Sequence, residues 1–542
     1  MTYSSLCFSR NSSNLKTEVL VIGGGTGGCA AALALAEAGR NVVMTCPNGW
    51  IGGQLTSQMV PPDEHWGIER YGCTRSYRKF RNRVRGYYLR NYPLLPSFRD
   101  DPYFNPGGGS VSKLCFEPRI GMAVLWEMLM RHISSGVLRV LTHHDVIGAD
   151  VECGVIRSAS FLDKRLNHSL TIDADFFLDA TELGDLLPLV GEDYASGAES
   201  RSETGEPHAL DGPGNPEDVQ GFTWCFPMSI DDSESPDTDR YRGNAPAGYQ
   251  HWKNYVPKLA PEWTGPLFSL IQPHPVTLAP YERVLLPPSN NGLIPLWKYR
   301  QIISKDRFCP SHKALDTTCV NWPQNDYFEG NVIDKEPDVV ERFLEESRQL
   351  SLSLFHWLQN EAPRPDGGQG YGNLLLRPDL TGRADGLAQE PYYRESRRLR
   401  GLLTVTENHV GKEARGGQKA EFFEDSVGTG YYRIDLHPST AGRNYIDIDS
   451  LPFQIPLRAL VPQKTTNLLA AGKNLSVTHI ANGCFRLHPV EWNVGESAGA
   501  LADFCLRNGQ IPAEVSANKN SVEEFQSELM ARGVDLEWPG TT

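Results

Sequence analysis

Glu18-Val-Leu-Val-Ile-Gly-Gly-Gly-Thr-Gly-Gly-Cys-Ala-Ala-Ala-Leu, residues 18–33, joins an apolar strand to an alanine-rich helix through a run of glycines. Gly23, Gly25 and Gly28 keep the G-x-G-x-x-G spacing of dinucleotide sites. In that motif the first glycine permits a tight turn, the second lets backbone approach a pyrophosphate, and the third lets helix pack on strand. Free amides at the helix start then face the phosphates. The spacing alone is a weak signal. Here a strand precedes it and a helix is predicted over 26–38, a context that a plain structural turn would lack. Thr26 and Gly27 complete the candidate cradle.

Gly39-Arg-Asn-Val-Val-Met-Thr adds a second strand ending near Thr45 and closes a βαβ unit. An acidic residue usually ends such a strand and holds ribose hydroxyls. The matching position is Cys46, and a thiol cannot accept two hydroxyl bonds as a carboxylate does. The loop 47–58 carries Gly52, Gly53 and Gln54 beside Trp50, Ile51 and Leu55, main chain suited to lie against a bulky flat ligand. Asp175-Phe-Phe-Leu-Asp-Ala-Thr-Glu is again strand into turn, with Ala180 and Thr181 at the bend. Far along the chain, Asn467-Leu-Leu-Ala-Ala-Gly ends a strand at Gly472. Val494-Gly-Glu-Ser-Ala-Gly then starts a helix whose Gly495 and Ala498 permit close approach. In an open α/β sheet these late blocks are expected to return to the first unit.

Lys and Arg number 52 against 66 Asp and Glu, a net charge of −14 that argues against a broad nucleic-acid surface. No run of about 18 apolar residues predicts a membrane span. The first 16 residues are polar and read as a loose leader. Eleven cysteines without C-x-x-C pairs read as reduced thiols of a cytoplasmic protein. No His or Cys spacing suggests a metal site. Residues 70–90 alternate arginine with aromatics. Tyr77, Phe80, Val84 and Tyr87 recur at helical spacing, which predicts an amphipathic helix with its arginines in solvent rather than a nucleic-acid patch. Further helices are predicted over 118–132, 337–360 and 522–531, and a hairpin or meander within 136–172. The stretch 363–381 is too rich in glycine and proline for regular structure.

Taken together, Val19–Leu33, Trp50-Ile-Gly-Gly-Gln, Leu178-Asp-Ala-Thr-Glu-Leu-Gly-Asp and Leu469–Ala502 resemble the glutathione-reductase-like FAD-dependent oxidoreductases. Within them the chain is most similar to the broad bacterial family of FAD-dependent oxidoreductases, some of whose members carry the label xanthan lyase. Gln220-Gly-Phe-Thr, Asn321-Trp-Pro-Gln-Asn-Asp-Tyr, Tyr393-Arg-Glu-Ser-Arg-Arg and Asp435-Leu-His-Pro look like that family's own signatures. The likeness spans residues 17–535. It implies an α/β chain with non-covalent FAD in a discontinuous Rossmann-like domain of the glutathione reductase type, and a large inserted α+β domain over the flavin. The expected boundaries are 17–204 and 453–515 for the two parts of the FAD domain, 205–452 for the insert, and 516–542 for a C-terminal helix and tail.

In such enzymes the flavin carries the electrons and the protein places substrate and moves a proton. Neutral histidine suits a base near pH 7. His488 and His479, with Arg486 as anchor for an anionic or carbonyl group, are the catalytic candidates; each histidine could equally be a loop residue bonded to main chain. Tyr393, Arg394 and Arg397 are candidate substrate-binding residues, unless salt bridges with Glu390 or Glu395 occupy the arginines. The expected reaction is hydride transfer from a polar alcohol, sugar-like compound or amine to FAD. The electron acceptor is left open, and a homo-oligomer is compatible with the chain. A flavin monooxygenase driven by NAD(P)H and a non-enzymatic flavin scaffold are the alternatives.

Overall fold

The structure, a computed structural model, describes residues 14–233, 243–263, 265–286 and 294–539. Most of the expected leader, residues 1–13, lies outside the described residues. Asn14–Lys16, expected in that leader, already pair with Thr171–Asp173, so strand β1 includes them (Asn14–Ile22). Val19 to Ile22 are almost fully buried. That is what a continuous apolar run forms when a parallel strand is covered on both faces.

Helix α1 (Thr26–Glu37) follows the glycine turn and returns the chain to β2 (Val42–Cys46), parallel to β1 with Val19 opposite Val42. Two helices come next, α2 (Arg75–Asn91) and α3 (Pro118–Ser134). Strand β3 (Leu138–Thr142) lies parallel to β2, not in a hairpin as its position predicts. The antiparallel meander is made instead by β4 (His144–Glu152), β5 (Val155–Asp163) and β6 (His168–Asp179). From Thr171 onward β6 also runs parallel to β1, pairing Phe176 with Val19 and Asp179 with Ile22.

The inserted region builds a second, antiparallel sheet. Its order is β8 (Gln301–Ile303), β9 (Thr317–Val320), β7 (Phe226–Ile230), β10 (Leu374–Leu376). β10 corrects the expectation of irregular structure over 363–381. Its three leucines pair with β7; Leu374 is buried in the second core and Leu376 packs against it despite the glycines nearby. Helix α4 (Pro337–Asn360) contributes Leu350 and Leu354, both fully buried, to a core of Trp224, Phe226, Trp322 and Tyr327.

The chain then returns to the first sheet. β11 (Leu468–Ala470) adds in parallel to β6, opposite Phe177–Asp179. Two helices follow, α5 (His479–Phe485) and α6 (His488–Asn508), and α7 (Lys519–Arg532) ends the regular structure. α6 starts at His488 with Pro489 in its first turn, so Gly495 lies inside the helix and not at its start, as the sequence suggests. There it meets α1: a Cβ on Gly495 would come within 2.0 Å of Gly27 O, and one on Gly27 within 2.0 Å of Ala471 O. The buried alanines of α1 serve the same near-backbone contact.

A further correction concerns α2. Arg81 and Arg85 are buried rather than solvent-facing: Arg81 pairs with Glu64 and Glu69, and Arg85 pairs with Glu69 at 2.6 Å. Their carboxylates come from the preceding loop, which a periodicity reading of the helix alone does not see. Among the described residues, no helix is long and apolar enough to cross a membrane, and no group of His, Cys, Asp and Glu could hold a metal ion.

Candidate active site

The ends of β1, β2 and β6 lie together at one edge of the sheet, where open α/β sheets place their ligands. A cavity of about 180 Å³ opens there, lined by Gly23–Gly25, Thr45, Cys46, Trp50, Ala180–Glu182, Glu390 and Tyr393. Gly23, at φ 107, makes the turn, and a Cβ on it would strike Ala180 O at 2.2 Å. Gly25 caps α1 without a side-chain hydrogen bond of its own, and of the first amides Gly27 N donates to the Glu491 carboxylate at 3.5 Å. Thr26 Oγ1 donates to Gly52 O at 2.9 Å, and Gly52 N donates to Gly24 O at 2.7 Å. The glycine turn and the Gly52–Gly53 loop are thereby fastened to each other. Gly28 packs against Gly23 O, and Gly472 is buried just beyond β11. Gly495 and Ala498 are buried in α6 and do not line the cavity. Cys46 does line it. Burial, with Glu390 adding to it, pushes its thiol up to about 12, so it is a neutral wall.

A buried set of charges continues from this cavity. Lys473 Nζ pairs with Glu182 and donates to Tyr393 O at 3.0 Å. Gln54 Nε2 donates to Arg486 O at 3.0 Å and to the Glu491 carboxylate. Burial pushes Glu491 up to about 7; Lys473 opposes the rise and Glu182 adds to it.

Beyond Gln54 lies a cluster of largely buried polar side chains, hereafter the chamber. Arg486 donates to Tyr392 Oη at 2.6 Å and to Asp435 O at 2.8 Å, and its own Nε finds no acceptor among the described residues. Arg300 pairs with Asp63 at 3.3 Å, and its Nε likewise finds none among them. His437 stands between two carboxylates, with Nδ1 2.5 Å from Asp326 and Nε2 3.6 Å from Asp435. Burial alone would raise Asp435; His437 and then Arg486 outweigh it and hold the carboxyl well below the usual range. Asp326 is also held low, by Arg394 and His437 against burial.

The three catalytic candidates occupy different surroundings. His488 is fully buried, accepts from Asp63 N at 3.0 Å and bonds Val60 O at 3.2 Å, so both ring nitrogens are taken by main chain. Burial pushes its pKa down to about 3, with Arg300 adding to the effect. His479 bonds Glu395 at 2.9 Å and Arg443 at 2.6 Å. Only Arg486 reaches the chamber. Of the substrate-binding candidates, Tyr393 lines the cavity. Arg394 is buried and pairs with Asp326 at 3.0 Å; Arg397 pairs with Asp185 and Asp334 at 3.0 and 2.9 Å. Neither arginine forms the salt bridge with Glu390 or Glu395 weighed from the sequence. The chamber residues Asp63, Arg300 and Tyr392 carry no sequence signal. His437 and Asp326 sit in the quoted motifs Asp435-Leu-His-Pro and Asn321-Trp-Pro-Gln-Asn-Asp-Tyr, which were the one available clue.

The family model described as FAD dependent oxidoreductase matches residues 18–529. The chain belongs to that family. It is an FAD-dependent oxidoreductase acting on a small molecule. No curated protein matches it in sequence. Solved structures similar to this oxidoreductase include p-nitrophenol 4-monooxygenase of Pseudomonas putida, at 11% identity over 96% of this chain and 88% of that chain with a TM-score of 0.37. A variant of the E. coli quinol fumarate reductase shares 12% identity over 96% of this chain and 74% of its own, with a TM-score of 0.32. A geranylgeranyl bacteriochlorophyll reductase-like protein of Thermoplasma acidophilum shares 10% over 96% and 85%, also with a TM-score of 0.32. The side-chain-free wall at Gly23–Gly25, leading into the start of α1, fits the pyrophosphate of the oxidoreductase's FAD.

Proposed function

We propose that the oxidoreductase takes a hydride from a polar alcohol, sugar-like compound or amine, with His437 as the base. The observation that carries this reading is the ring itself. Its Nδ1 is held by Asp326, its Nε2 has no closer partner among the described residues than Asp435 at 3.6 Å, and the side chain is 17% exposed. His488 and His479 have both nitrogens engaged; in this reading they are positioning residues, His488 tethering the loop 60–63. The sheet order, parallel β3-β2-β1-β6-β11 with an antiparallel meander β4-β5-β6, supports assigning the FAD unit to the glutathione reductase type. It also supports a unit split between 17–204 and 453–515, with 205–452 as the insert.

Gly23–Gly25 and the start of α1 hold the pyrophosphate in this proposal, and Gly52–Gln54 with the first turn of α6 face the flavin ring. Bound FAD supplies a two-electron acceptor. Nδ1–H of His437 donates to Asp326, which fixes the tautomer and leaves the Nε2 lone pair to take the hydroxyl or amine proton. The Asp435 carboxylate then faces the imidazolium. Arg486 and Arg300, each with an unused Nε–H, orient the polar group of the substrate.

The test is anaerobic bleaching of the yellow holoenzyme with polyols, sugars, hydroxy acids and amines. Once a substrate bleaches it, His437→Asn is expected to slow bleaching by about 10²-fold or more with FAD retained. An unchanged rate removes His437 as base, and rapid bleaching by NADPH or NADH alone favours a monooxygenase.

A further inference from the structure

We propose that Glu390, contributed by the inserted region, is the residue that holds the adenosine ribose hydroxyls of FAD in place of the missing acid at the end of β2. This inference rests on reading the glycine turn as the pyrophosphate cradle.

Cys46 ends β2 where that acid would stand, and its buried thiol packs under Gly24, with Sγ 2.9 Å from where a Cβ on Gly24 would lie. The cavity beside it is lined by four carboxylates, Asp145, Glu182, Asp185 and Glu390. Three of these are already neutralised. Asp145 pairs with Lys164 at 2.9 Å, Asp185 with Arg397 at 3.0 Å, and Glu182 with Lys473. Glu390 alone forms no ion pair among the described residues. It accepts from Ser57 Oγ at 2.5 Å on one oxygen and from Asn48 Nδ2 at 3.0 Å on the other. Both donors belong to the loop that follows Cys46, so Glu390 is held against the residues flanking the missing acid. Each carboxylate oxygen can accept about two hydrogen bonds, which leaves one acceptor site per oxygen. A vicinal diol offers two hydroxyl donors and matches that pair. Burial and the nearby Glu182 push Glu390 up to about 7, with Ser57 and then Lys473 and Gln58 opposing, so the group gains from any further donor that satisfies it.

The arrangement differs from a β2-terminal acid in one respect. The diol is held from across the cavity, by the same segment that supplies Tyr393 to its wall. The insert therefore takes part in retaining the cofactor as well as in facing substrate.

The test compares the full-length holoenzyme with Glu390→Gln, reading released FAD by its fluorescence on dilution, and repeats it after exchange with FAD lacking both adenosine ribose hydroxyls. Wild type is expected to bind FAD about tenfold to a hundredfold more tightly than the dideoxy cofactor. Glu390→Gln is expected to bind FAD more weakly by a similar factor and to lose the discrimination. Glu390→Asp, which keeps the charge on a shorter arm, is expected to retain part of it. Full affinity or undiminished discrimination in Glu390→Gln overturns the assignment. Gly25→Val addresses the cradle separately. If it binds FAD as wild type does, the reading of the turn falls and this inference with it. If it loses FAD while Glu390→Gln still discriminates, only the ribose assignment falls.

Discussion

His488 shows how a single side chain can favour one protonation state for the sake of the fold. It is buried as a neutral ring between Asp63 N and Val60 O, and its pKa falls from 6.5 to about 3. The unfolded chain therefore takes up a proton before the folded one does. The stabilisation is complete above pH 6.5 and drains away as pH falls toward 3. Thermal melting should show this slope, and His488→Gln, which can replace both hydrogen bonds without titrating, should flatten it while holoenzyme still forms. His437 sits in the opposite setting, between the carboxylates of Asp326 and Asp435, which Arg394 and Arg486 help to hold ionised. Asp326→Asn should slow substrate reduction of the flavin nearly as much as His437→Asn, since it removes the charge that supports the imidazolium; stopped-flow bleaching measures it. His488 is legible in the sequence as a candidate residue and His437 only as part of the motif Asp435-Leu-His-Pro, and neither as an environment. The backbone of the loop 60–63 and the carboxylate of Asp326 are brought up from distant parts of the chain.

At the level of single elements, α1 was readable because everything it needs is local: glycines for the turn, then alanines for close packing. α6 was readable in composition but not in position. Pro489 fits the first turn of a helix, and the helix accordingly starts ahead of the small residues that drew attention to Gly495. Its glycine is better understood as a contact residue. Gly495→Leu should drive α6 off Gly27 and destabilise the protein by about 3 kcal/mol, read as a lowered denaturation midpoint together with loss of bound flavin. α2 teaches a related lesson: Tyr77, Phe80 and Val84 are buried as their spacing predicts, but Tyr88 rather than Tyr87 completes that face, and two arginines are buried with it. Arg81 lies fully buried against Glu64 and Glu69. Removing one partner strands the others, so Arg81→Ala should cost about 3–5 kcal/mol in denaturant titrations.

Across the whole molecule, the FAD-side sheet could be inferred from the two ends of the sequence, whereas the chamber could not. Asp63, Arg300, Tyr392, Asp435 and Arg486 come from five separate segments and meet through long-range pairs such as Arg300–Asp63, Arg486–Tyr392 and Arg486–Asp435. The cofactor contacts proposed from the turn, the Gly52–Gln54 loop and Glu390 also draw on separated segments. FAD at about a hundred times its Kd should therefore raise stability by about 2.7 kcal/mol, which calorimetry with and without added cofactor would show.

The contact between Gly27 and Gly495 also has a bearing on how the protein is made. A ribosome adding about 5–20 residues per second delivers α6 roughly half a minute to a minute and a half after α1. Throughout that interval the alanine face of α1 has been synthesised and its covering helix has not. The nascent chain must spend this time with an apolar surface open to water or to a chaperone, while the intervening region is translated and begins to form its own core.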